Sequence, residues 1–120
     1  MRPGTIYIDG APQRFNVLIV HLKKNIHRED GPAVEYDDGG KCWYQNGKRH
    51  RVDGPAIIRT DGYKAWYLNG RRHRVDGPAI EYVSGDNLWF LNGHNYEFDE
   101  FIKVARKTTE EAVLLALEWL

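Results

Sequence analysis

A chain of 120 residues, 42% hydrophobic and 28% charged, with 17 cationic and 17 anionic side chains, is sized for one domain and exerts no net pull on nucleic acid or an anionic membrane. A single cysteine excludes an internal disulfide, and no apolar run approaches the roughly 20 residues needed to span a bilayer. The opening MRPGTIYIDG lacks the apolar core of a signal peptide, so one domain over residues 1–120 in a reducing cytoplasm is expected, with no membrane association.

Residues 1–26 read as an N-terminal cap. Ile6-Tyr7-Ile8-Asp9-Gly10 echoes Trp89-Phe90-Leu91-Asn92-Gly93, and the echo continues without a gap: Phe15 matches Phe98, Asn16 matches Asp99, Ile19 matches Ile102 and Lys23-Lys24 matches Arg106-Lys107. A strand, an Asp/Asn-Gly turn and an amphipathic helix are therefore expected at both ends, with Asn16 and Asp99 as helix N-caps. Val17-Leu18-Ile19-Val20 also suits a strand, which stands as the alternative for that stretch.

Residues 27–95 say one phrase three times at a spacing of 23: HREDGPAVEYDDGGKCWYQNGKR from His27, HRVDGPAIIRTDGYKAWYLNGRR from His50 and HRVDGPAIEYVSGDNLWFLNGHN from His73. Repeats of this length mean stacked units, each too small to bury its own apolar face. Asn46-Gly47, Asn69-Gly70 and Asn92-Gly93 follow aromatic runs and supply the two positive φ angles of a type I′ hairpin turn. Second turns are expected at 37–40, Asp61-Gly62 and Ser84-Gly85. The segments between are rich in Val, Ile, Tyr, Trp and Phe, so two strands per unit predict a six-stranded meander. Alternation puts Trp43, Trp66 and Trp89 on one face, and Tyr44, Tyr67 and Phe90 with Cys42, Ala65 and Leu88 on the other. Pro32, Pro55 and Pro78 have no N–H, which predicts that each Asp-Gly-Pro is a kink or bulge in one long strand.

Residues 96–120 read as a C-terminal helical cap. Thr108 and Glu111 form a capping box, and Ala112 to Leu120 is apolar on all sides apart from Glu118. Such a helix must be covered, either by the sheet of its own chain or by a dimer or partner contact through Leu117 and Trp119. The fold class is mainly β with helical caps (α+β), an antiparallel β-meander of three 23-residue hairpin repeats flanked by short helices.

The phrase His-Arg-x-Asp recurs at His27, His50 and His73. Equivalent positions in neighbouring units lie about 10 Å apart, whereas ligands of one zinc lie about 2 Å from the metal, so the three histidines cannot share an ion. No nucleophile recurs beside them, no glycine loop cradles a phosphate and no CxxC pair is present. Glu110-Glu111 sits where the helix dipole explains it. No catalytic residue, metal or cofactor is expected. The scaffold reading has the aspartate bonding local backbone N–H groups, and the arginine pairing with an aspartate or stacking on a neighbouring tryptophan. The functional reading is an edge of Arg49, Arg51, Arg72 and Arg74 with His50 and His73, joined by Lys48 and Arg71, that grips carboxylates or phosphates. Aromatics among basic residues also suit single-stranded nucleic acid, but zero net charge and the strict regularity of the tryptophans count against it.

The period, the aromatic–x–Asn-Gly hairpins and the Asp-Gly second turns resemble MORN-type repeats, particularly a bacterial variant of antitoxin-like proteins. The fuller phrase HRxDGPA…WYLNG is similar to a family of small tailed-phage proteins, whose repeats end in an acidic-aromatic segment like Glu97-Phe98-Asp99-Glu100-Phe101. The resemblance covers residues 27–101. It implies an extended β-meander that binds a host protein and disables it, for instance a defence factor in the host cytoplasm. The glycines that define eukaryotic MORN repeats are largely replaced here by Asp-Gly-Pro, so lipid binding does not carry across. The alternatives are a sponge for an anionic nucleotide signal and an antitoxin-like or structural array.

Overall fold

The architecture starts from its turns. Four Asx-Gly pairs hold positive φ at both positions: 51° and 85° at Asp9-Gly10, 50° and 79° at Asn46-Gly47, 49° and 82° at Asn69-Gly70, and 50° and 84° at Asn92-Gly93. That is type I′ geometry, which Asn, Asp and Gly enter at least cost. The computed structural model describes residues 3–15 and 24–106 and is mainly antiparallel β.

Strands β1 (Gly4–Ile8) and β2 (Ala11–Phe15) flank the first turn. Strands β3 (Val34–Tyr36), β4 (Lys41–Cys42), β5 (Tyr44–Gln45) and β6 (Lys48–Arg49) follow, and β7 (Ile57–Ile58), β8 (Lys64–Ala65), β9 (Tyr67–Leu68) and β10 (Arg71–Arg72) repeat them. The series closes with β11 (Ile80–Glu81), β12 (Asn87–Leu91), β13 (His94–Tyr96) and helix α1 (Phe98–Arg106).

Nine strands form one sheet in the order β13-β12-β11-β8-β7-β4-β3-β1-β2, while β5–β6 and β9–β10 form separate hairpins. This corrects the expected six-stranded meander. The chain leaves the main sheet at Trp43 and again at Trp66, and only β12 runs unbroken through its tryptophan, Trp89. The Asp-Gly-Pro segments are not kinks inside a long strand. They are loops joining each hairpin to the next main-sheet strand. The prolines lack an N–H, and the carbonyls of Pro32, Pro55 and Pro78 accept from arginine Nη1 at 3.2, 3.1 and 3.1 Å, so these residues serve a side chain rather than a ladder.

Register then builds the core. Val34 pairs with Cys42, Cys42 with Ile57, Ile57 with Ala65, Ala65 with Ile80 and Ile80 with Leu88, giving one apolar row across the sheet. Tyr67 and Phe90 join this core, as alternation predicts for the face shared with Ala65 and Leu88. Ala33, Ala56 and Ala79, the alanines of the three Asp-Gly-Pro-Ala runs, are fully buried. A second cluster of Ile6, Ile8, Ile26, Ala33 and Val34 fills the N-terminal end. The molecule measures 44 × 27 × 21 Å, the elongated shape of units that pack on their neighbours.

Helix α1 presents Phe98, Phe101, Ile102 and Ala105 at i, i+3, i+4 and i+7, and packs them on Trp89. It starts one residue before the expected N-cap, Asp99. The Phe101 N–H donates to the Glu97 carbonyl at 2.9 Å, leaving Asp99 and Glu100 in the first turn, at the positive end of the helix dipole. Drawing Phe98 into the helix brings its ring centroid to 4.8 Å from that of Trp89. The helices expected from Asn16 and from Thr109 lie outside the described residues.

Candidate binding surface

Each His-Arg-x-Asp-Gly-Pro segment does two jobs. The first belongs to the histidine. The N–H groups of Asn46, Asn69 and Asn92 donate to Nδ1 of His27, His50 and His73 at 3.0, 2.9 and 2.9 Å, so a histidine closes the type I′ turn 19 residues further on. An accepting Nδ1 carries no proton, which leaves the hydrogen of the neutral ring on Nε2. In the first unit Nε2 donates to Glu29 at 2.7 Å; Val52 and Val75 occupy the Glu29 position in the other two. Burial holds His73 below the ordinary histidine value.

The second job belongs to the arginine. Nε of Arg28, Arg51 and Arg74 donates to Asp30, Asp53 and Asp76 at 2.9, 3.1 and 2.9 Å. The guanidinium carbon of Arg51 stands 3.8 Å from the Trp43 ring centroid, that of Arg74 3.9 Å from Trp66, and that of Arg28 4.0 Å from Tyr7. A Cβ placed on Gly31, Gly54 or Gly77 would meet that same carbon at 3.0, 2.9 or 2.6 Å. The glycine is there because the guanidinium lies against it. Pairing with aspartate and stacking on an aromatic ring, posed as alternatives by the sequence, occur together. Trp89 has Glu97 eight residues on in place of an arginine, and Phe98 and Phe101 cover its face instead, at 4.8 and 5.0 Å between centroids. An open groove of about 800 Å³ between the first two loops is lined by Glu29, Asp30, Trp43, Gln45, Arg51 and Asp53.

The hairpins carry a different set of cations. Arg49 pairs across its hairpin with Tyr44, and Arg72 with Tyr67, so each arginine shares a face with its tyrosine. Arg49 also lies 5.5 Å from the Tyr67 ring, and Arg72 lies 5.3 Å from the Phe90 ring while its Nε donates to the Tyr67 hydroxyl at 3.2 Å. A column of alternating rings and guanidiniums results: Tyr44, Arg49, Tyr67, Arg72, Phe90. Lys48 and Arg71 precede Arg49 and Arg72 in the same strands, and their aliphatic stems lie against Gly70 and Gly93.

Charge pairing separates the two sets. Among the described residues, arginine ion pairs are made by Arg14, Arg28, Arg51 and Arg74, and Arg49, Arg59, Arg71 and Arg72 have no carboxylate partner. The Arg51 and Arg74 side chains are 23% and 17% exposed and are held on three sides. His50 and His73 are half-buried beside the turns they close, whereas Arg49 and Arg72 are exposed. Leu117 and Trp119 lie outside the described residues. Arg59 is a cation the sequence reading missed. It stands 4.2 Å over Tyr63, which is itself 5.5 Å edge-to-face from Tyr82. The signal for it was the strand period: two residues beyond Ile57, it falls on the same face.

Among the described residues no group of three His, Cys, Asp or Glu side chains converges on a metal-sized site, and no helix is long and apolar enough to cross a membrane. Comparison of the chain with protein-family models, with curated proteins and with solved structures found no match.

Proposed function

We propose that this chain is a non-enzymatic protein-binding module that inhibits its partner: three 23-residue hairpin units, closed by helices at both ends, offering arginines to another macromolecule. One observation carries the reading. Arg49 and Arg72 stand one unit apart, exposed and without a carboxylate among the described residues, in a chain that holds as many acidic as basic side chains. Uncompensated guanidiniums beside phenol rings are the composition of interface anchors rather than of a solvated face. Arg51, Arg74, His50 and His73 serve the site indirectly, by fixing the hairpins that carry Arg49 and Arg72. The resemblance to small tailed-phage proteins supports a host defence factor as the target and the host cytoplasm as the compartment. A second copy joined through Leu117 and Trp119 belongs to the same proposal.

A nucleotide sponge is the second reading, favoured by a groove of about 340 Å³ lined by Arg49, Tyr67, Arg71 and Arg72. The two readings separate in one experiment. The full chain and its Arg49→Gln/Arg72→Gln variant serve as baits in bacterial lysate, alongside a thermal-shift screen with cyclic and dinucleotides. A protein retained by the parent and lost from the variant is the expected result. A nucleotide that raises the midpoint while no protein is retained would favour the sponge.

A further inference from the structure

Arg49 and Arg72 do not act from an edge alone; the topology gives them a third partner. In the main sheet Ile57 pairs with Ala65 and Ala65 with Ile80, facing the core. Two residues along, on that same face, come Arg59, Tyr63 and Tyr82, and the Arg59 N–H donates to the Tyr63 carbonyl at 2.9 Å, continuing the ladder. The hairpins bring Tyr44 and Arg49 in from the other side. Arg49 and Arg59 thus converge on one cleft of about 120 Å³, which Tyr36, Tyr44 and Cys42 also line.

The chemistry of this rim is one-sided. Its guanidiniums hold no carboxylate among the described residues, and guanidinium has donors only. Burial raises the Tyr44 and Tyr63 hydroxyls above the ordinary tyrosine value, so they too stay protonated and able to donate. The rings under Arg49 and Arg72, Tyr67 and Phe90, are each only 6% exposed, so they offer no open face for a nucleic-acid base to stack on. Tyr82, at the outer end, is 41% exposed. A surface of planar donor forks with hydroxyls between them recognises carboxylates. The Gly70 N–H donates to the Arg49 carbonyl at 2.8 Å, so the two hairpins abut. Equivalent positions such as Arg49 and Arg72 then stand about 10 Å apart, close to the rise of two helical turns, about 10.8 Å.

We propose that this rim seats an acidic helical segment of a partner protein, with carboxylates at i and i+7 taken by Arg49 and Arg72, a third by Arg59, and Tyr44, Tyr63 and Tyr82 framing the seat. This rests on the protein-binding reading above and names the partner's chemistry.

The test measures fluorescence anisotropy of a helical peptide bearing glutamates at i and i+7, against a peptide of the same composition with that spacing scrambled and an oligothymidylate of equal charge. The expected result is tighter binding of the spaced peptide, weakened about 10-fold or more by Arg49→Gln/Arg72→Gln and nearly as much by Arg49→Lys/Arg72→Lys, which keeps the charge but loses the fork. Lys64→Gln/Lys103→Gln removes equal charge from exposed side chains away from the rim and is expected to change affinity by no more than about twofold. Thermal midpoints of all variants show that each is folded. Equal weakening by both glutamine pairs, no preference over the scrambled peptide, or tighter binding of the oligonucleotide would overturn the proposal. A lysate protein retained equally by parent and Arg49→Gln/Arg72→Gln baits would sink the acidic-helix seat and leave the protein-binding reading standing. A bait that retains no protein at all would take both down.

Discussion

The guanidinium of Arg51 lies 3.8 Å above the ring of Trp43, eight residues before it in the chain. The stack recurs at 3.9 Å between Arg74 and Trp66. Both arginines therefore act as struts, and their charge is answered within the chain.

Reversing that charge should damage the scaffold. Arg51→Glu/Arg74→Glu replaces two stacked cations with anions facing Asp53, Asp76 and Glu81, and should cost about 2 kcal/mol per site. Arg49→Gln/Arg72→Gln, on exposed side chains, should stay within about 0.5–1 kcal/mol of the parent. Urea unfolding followed by tryptophan fluorescence ranks the two variants; equal midpoints would mean the stacks do not hold the units together.

Gly54→Ala probes the same strut from below. The new methyl would stand 2.9 Å from the Arg51 guanidinium carbon and push it off Trp43 and Pro55, costing about 1–2 kcal/mol. Because that cost arises through Arg51, it should largely vanish in an Arg51→Ala background. A double-mutant cycle showing simple additivity would refute the mechanism.

These struts mark the limit of what the sequence displays. The turns were legible because Asn-Gly and Asp-Gly at fixed spacing have one favourable hairpin geometry, and even the Asp9-Gly10 echo adopts it. The shared face of Ala65, Tyr67 and Phe90 was legible from alternation. The breaks at Trp43 and Trp66 were not, since they arise when an arginine and its Asp-Gly-Pro loop claim the tryptophan face, a tertiary event. At the candidate site, Arg49 and Arg72 could be named from the basic hairpin edge. An aspartate or a neighbouring tryptophan was already on offer as the partner of Arg51 and Arg74; that both are used at once, leaving Arg49 and Arg72 open, depends on how the loop folds back. Arg59 was legible as a residue on the Ile57 face, but its neighbours Tyr63 and Tyr82 were not, since the sheet register brings them together.

The three tryptophans should not weigh equally. Trp89 is buried under Phe98 and Phe101, so Trp89→Ala should cost about 3–5 kcal/mol. Trp66 is half-buried beneath a single arginine, and Trp66→Ala should cost visibly less. Chemical denaturation of the two variants gives the order, and a larger loss at Trp66 would contradict the packing described.

Acid should loosen the last unit. His73 must be neutral to accept from Asn92, and burial puts its folded value below the ordinary 6.5. Its contribution to stability is then fully present above the unfolded value and is lost as pH falls below it, because the unfolded chain takes up the proton first. Unfolding free energy measured from neutral pH downward should fall, and His73→Gln should flatten that part of the curve. An unchanged slope in the variant would assign the acid sensitivity to other groups.

The bond from each histidine to an asparagine 19 residues ahead also sets the order in which the chain can acquire structure. These contacts close within a single repeat, so order can grow from one finished unit to the next. During synthesis the first hairpin can close once Arg49 has emerged, ahead of the second phrase, and each later unit then finds a completed neighbour to fold against.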